Sequence, residues 1–211
     1  MTKALLPVAC ALAMVIQTGC IPESEQPITP LATAQQDAQL YGVWRADEED
    51  CVRYLHVGAE VDKAASPDAA EPEPGLMRFW FVTHRKGEGR FAIERPLSMR
   101  FFVSHARENH FANAMLPFEE GQDDKVRGPR KYYFIRYKVE GDQLLVWGIN
   151  FQATAAAIEN GELGGTVTRD KDELKSVQLT DSSEHLAVYL SGGGADMLFP
   201  DKGKATFQRV R

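Results

Sequence analysis

A hairpin written into residues 131–150 constrains the fold more than any other part of the chain. Lys131–Glu140 and Gln143–Asn150 are β-rich runs, and Gly141-Asp142 between them is a two-residue turn signal. Pairing across that turn puts Tyr133, Ile135, Tyr137 and Val139 on one face with Leu144 and Val146. The other face carries Phe134, Arg136 and Lys138 against Leu145, Trp147 and Ile149, and sets Arg136 opposite Trp147 as a stacking pair.

The rest of the chain follows the same β pattern. Short strands are expected at Tyr41–Ala46, Cys51–Val57, Arg90–Glu94, Asn109–Leu116, Lys175–Leu179 and Ala205–Val210. Leu76–Arg85 is apolar on both faces, as in a strand covered on both sides. Leu97–Arg107 alternates, with Leu97, Met99, Phe101 and Val103 on one face and Phe102 as the exception on the other. The Ala/Pro/Glu/Asp-rich stretch 59–75 and the charged stretch Gln122–Arg130 read as exposed loops. Two helices interrupt the strands: Phe151–Asn160, capped by Asn150, and Ser182–Leu190, with Asp181 as its cap and Glu184 three residues on. Nine or ten strands with two short inserted helices imply a single mainly-β domain over 38–211, an antiparallel barrel or sandwich.

One motif favours the barrel. Gly42-Val43-Trp44 near the domain start resembles the Gly-x-Trp of lipocalins and their relatives. The resemblance implies that Trp44 sits at a barrel floor under an Arg from the last strand, which Arg209 or Arg211 would supply. The aromatic set Phe79, Trp80, Phe81, Phe101, Phe102, Tyr132, Tyr133, Phe134 and Tyr137 reads as core filling; in an open barrel a subset of it would line an apolar cavity, since barrel mouths are common ligand sites.

The N-terminus reads as an address. Lys3 precedes the uncharged apolar run Ala4–Ile16, which has the length of a secretory signal core. Gln17-Thr18-Gly19-Cys20 then resembles the lipobox of bacterial lipoproteins, with Gln17 where that family usually has Leu. The resemblance implies a signal peptide over 1–19, a diacylglycerol on the Cys20 thiol, and membrane attachment through that lipid. Ile21 rather than Asp after the Cys implies outer-membrane delivery, facing the periplasm, in a Gram-negative host. Residues 20–37, with Pro22, Pro27 and Pro30, read as a disordered, semi-rigid tether. Cys51 would then be the remaining thiol of the mature chain, flanked by Asp47, Glu48, Glu49 and Asp50, which disfavour a thiolate.

Charge is uneven. Residues 75–140 hold thirteen Lys/Arg against eight Asp/Glu in a chain of net charge -6. No nucleic-acid motif accompanies this excess, so no nucleic-acid partner is expected. A basic face of Arg78, Arg85, Arg95, Arg100, Arg136 and Lys138 would suit an anionic surface instead. His105, Glu108 and His110 match no strong metal spacing, and the serines sit in no nucleophile-elbow pattern. No metal, cofactor or catalytic residue is therefore assigned. The expected function is a non-enzymatic binding module for an apolar or amphipathic ligand or an envelope partner protein. The alternative is a structural protein of the envelope with a basic face; a hydrolase is the third.

Overall fold

The computed structural model describes residues 21–60, 75–87, 90–94, 96–115 and 130–211. The signal segment, Cys20, Arg95 and nearly all of the two expected loops lie outside them. Twelve strands follow in chain order: β1 (Glu23–Ser24), β2 (Gly42–Asp47), β3 (Cys51–Ala59), β4 (Met77–Gly87), β5 (Arg90–Ile93), β6 (Leu97–Ala106), β7 (Asn109–Met115), β8 (Tyr132–Glu140), β9 (Gln143–Gly148), β10 (Gly165–Asp170), β11 (Glu173–Leu179) and β12 (Ala205–Arg209). The helices are α1 (Phe151–Glu159), α2 (Ser183–Tyr189) and the single turn α3 (Ala195–Leu198).

Eight strands close an antiparallel barrel in the order β2-β3-β4-β6-β7-β8-β9-β12, with β12 returning to β2. Closure leaves the barrel no unpaired edge. Seven of the eight run up and down in sequence, so each turn joins neighbours. The long connection from β9 to β12 carries both inserted helices and the β10–β11 hairpin. The β8–β9 hairpin turns at Gly141 (φ +60) and sets Arg136 against Trp147 and Val139 against Leu144.

Period-two alternation divides the wall into two faces. Trp44, Phe79, Phe101, Tyr137, Leu144 and Phe207 point inward and form the barrel core. Phe102, Phe111, Phe134 and Trp147 point outward, into a second core with Ile28, Leu186, Leu190 and Phe199. Phe102, the exception in its strand's alternation, thus serves the outer layer. Around β3 and β4 the wall is single-layered. Trp80, expected to be covered, is 49% exposed there.

The expected tether is instead a clamp. Residues 21–37 run along the outside of β6–β8, burying Pro22, Ser24, Pro27 and Ile28. β1 pairs in parallel with β11 and meets β8 at Tyr132, bridging the hairpin to the barrel. The Ile28 amide donates to Asn113 Oδ1 at 2.9 Å, and the Asn113 side chain in turn donates to Ser104 Oγ at 2.7 Å. The prolines suit this role, because an extended strip with few N–H groups leaves few donors to satisfy against an apolar surface. Gly75 (φ +89) lets the strip lie close: a Cβ there would stand 2.4 Å from the Ala34 carbonyl oxygen.

The second helix also differs at its start. Ser182, not Asp181, is the cap, accepting from the His185 amide at 3.2 Å. Asp181 turns away to accept from the Gly164 amide and to contact the His185 ring. The local sequence offers two adjacent capping side chains, and the strand–helix packing decides between them.

Candidate functional site: the barrel interior

One end of the barrel is closed by a 3₁₀ turn, Ala38–Leu40, that brings Leu40 under the core. Trp44 is fully buried above it and donates Nε1–H to the Leu40 carbonyl at 2.8 Å. The Arg209 guanidinium carbon lies 4.0 Å from the centre of the Trp44 ring. That guanidinium also donates to the Tyr41 and Gln39 carbonyls at 2.5 and 2.6 Å. Gly42 has φ +125, and a Cβ there would meet Arg209 Nη1 at 3.1 Å, so the glycine makes room for the arginine. Arg211, the other C-terminal arginine, pairs with Asp142 on the surface.

The same end gathers Asp37, His105, His110 and Tyr137. Tyr137 donates its hydroxyl to Asp37 Oδ2 at 2.8 Å; burial first, and then this carboxylate, push the hydroxyl far above the usual phenol range. His110 stands edge-on to both His105 and Tyr137, and its Nδ1 is 3.8 Å from Asp37 Oδ2. Burial, and then His110, lower the His105 pKa. Among the described residues no group of three His, Cys, Asp or Glu could hold a metal. These side chains cap the floor.

Above the floor lies an apolar cavity of about 100 Å³, lined by Leu55, Phe79, Phe81, Leu97, Ile135 and Val146 among others. Several of these inward side chains are only half-buried, so the cavity is not sealed from the upper end. Its size is below the roughly 300–1,000 Å³ of drug-sized ligand sites. Cavities of about 150 Å³ with such linings stay dry and admit a benzene-sized molecule. The geometry therefore suits a slim group.

Arg53 stands at the upper end of this interior. Strand alternation puts it on the face of Leu55 and Val57, beside Ala46 and Thr83 across the neighbouring strands. It is 2% exposed. Its Nη1 donates to Glu48 Oε1 at 2.6 Å, while Nε and Nη2 find no acceptor among the described residues. A buried donor left unsatisfied costs about 1–3 kcal/mol. Cys51 is also buried here, its thiol 3.6 Å from Glu48 Oε2. Sequence reading missed Arg53, yet carried a signal for it: a charged residue in the inward register of Cys51, Leu55 and Val57.

A larger hollow of about 510 Å³ lies outside the barrel, by the seam where β12 pairs with β2 only at Gln208↔Arg45 and Arg209↔Trp44. Arg45 and Asp47 line it, about half exposed and paired with each other, so it offers little desolvated surface.

The other expected residues are structural or dispersed. Arg136 lies 5.3 Å over the Trp147 ring and pairs with Asp196, while Trp147 Nε1 donates to Asp201. Arg78 and Arg100 are cross-strand neighbours on β4 and β6; Arg136 and Lys138 sit on β8, across the outer core. Arg78, Arg85, Arg136 and Lys138 each meet a carboxylate: Glu60, Glu94, Asp196 and Glu140. Four of the six expected basic residues are thus neutralised by carboxylates, and Arg95 lies outside the described residues. No family model, curated protein or solved structure matches this chain.

Proposed function

We propose that this chain is a lipid-anchored envelope protein whose barrel holds a slim apolar or amphipathic ligand without transforming it. The observation that carries the reading is the apolar slot between a fully hydrogen-bonded floor and a half-open upper end. The arrangement of Gly42, Trp44 and Arg209 supports the likeness to lipocalins.

The anchor is the Cys20 thiol, carrying a diacylglycerol whose two chains give firm attachment where one would bind marginally. Because Ile21 already packs against the outer core, such an anchor has little slack. The domain then sits against the bilayer rather than at the end of a tether, on the periplasmic side of an outer membrane.

Calorimetry with octan-1-ol tests the slot. The wild type should bind it, and Ala112→Phe, which fills the cavity from β7, should not; failure of the wild type to bind overturns the reading. Mass spectrometry of the mature N-terminus tests the anchor. An unmodified Cys20, or unchanged membrane partitioning in Cys20→Ser, overturns that half.

A further inference from the structure

Resting on the reading of the barrel as a binding slot, we propose that the ligand is a single-chain carboxylic acid whose carboxylate docks on the Nε–Nη2 edge of Arg53. These two nitrogens are adjacent donors along one side of the guanidinium, the edge that matches both oxygens of a carboxylate. They are also the two that lack an acceptor, in a side chain that is 2% exposed. Buried polar groups without partners are rare enough to need a cause, and a ligand atom is one.

The protein shows this edge at work elsewhere. Arg78 grips Glu60 with Nε and Nη2, at 2.7 and 2.6 Å, on the outer wall. Arg53 presents the same pair of donors to the interior, with its third nitrogen held by Glu48. Because Glu48 already balances the guanidinium, the site favours a monoanion over a doubly charged phosphate ester. Leu55 and Phe81 lie one inward step below Arg53 and Thr83, so the chain of such an acid would extend from the guanidinium into the apolar slot. The cavity, smaller than one that admits benzene, takes part of one thin chain and leaves the rest at the half-open upper end, and it is too narrow for a ring system or a branched lipid.

Octanoate, octan-1-ol and octyl phosphate distinguish the possibilities, titrated calorimetrically into the full chain carrying Cys20→Ser, free of detergent. Octanoate should bind the otherwise wild-type protein at least about tenfold more tightly than octan-1-ol, as one charge-assisted hydrogen-bonded pair implies. Arg53→Met should abolish that preference and leave octan-1-ol binding within about twofold, as expected where only a polar contact is removed. Octanoate no tighter than the alcohol, or a preference that survives Arg53→Met, overturns the docking while alcohol binding leaves the slot intact. Octyl phosphate binding more tightly than octanoate overturns the carboxylate class. No binding of any of the three removes the slot and the proposal together. Should Arg53→Met fail to fold, the Arg53 Nε–H resonance of the wild type decides: it should move with octanoate and stay with octan-1-ol, and any other pattern overturns the docking.

Discussion

Arg209 and Arg53 both belong to the inward register of the barrel, at opposite ends, and they are treated differently. Arg209 lies flat on Trp44 and donates to two backbone carbonyls, so its charge is spread over an aromatic face and two acceptors. Arg53 is more deeply buried, yet one carboxylate engages one of its nitrogens and the rest of the guanidinium is left over. The floor is complete as it stands, and its interactions all act on folding. The upper end holds an unfilled hydrogen-bonding capacity beside an apolar cavity. Satisfied interactions are concentrated at one end and unsatisfied donors at the other.

The largest expected effect tests the floor. Trp44→Ala should destabilise the protein by about 3–5 kcal/mol, the usual cost of deleting a fully buried tryptophan. A urea titration measures it, and a loss below about 1 kcal/mol would show that the floor does not hold the barrel closed. Arg209→Met comes next, at about 1–2 kcal/mol, since it removes a half-buried cation–π contact and two charge-assisted hydrogen bonds, one of them exposed. Arg53→Met, at the less satisfied end, should change stability by less than about 1 kcal/mol. It removes two unsatisfied donors, and the released Glu48, whose side chain is 24% exposed, can turn to water. Equal losses from the two arginine substitutions would erase the distinction between the ends.

What the sequence disclosed follows from how locally each feature is encoded. The β8–β9 hairpin was legible because its turn and alternation lie within twenty residues, and the closed end because Gly42, Trp44 and a C-terminal arginine form a recognisable set. The clamp was not. Pro22, Pro27 and Pro30 among polar residues have the composition of a spacer, and the contacts that order them are distant: Ile28 to Asn113, and Ser183 to the Pro27 carbonyl. β10 escaped notice for a related reason, since most of its side chains are exposed and only its pairing with β11 marks it as a strand. Arg53 lay in an expected strand, but its two unmatched nitrogens exist only once β2, β3 and β4 close around it. A missing partner is a property of the fold, which no window of sequence contains.

The smallest effect refines the picture of the floor through pH. His105 has its pKa lowered from 6.5, by burial and then by His110, so the folded protein disfavours its charged form. The unfolded chain therefore binds the proton first, and the contribution of this residue to stability is present in full above pH 6.5 and is lost as pH falls below it toward the folded value. Denaturation midpoints between pH 7.5 and 5.5 should decline gently in the wild type and decline less in His105→Gln. The side chain is only partly shielded from water, so solvent screening keeps the slope small. A steep decline surviving in His105→Gln would place the acid-sensitive group elsewhere in the molecule.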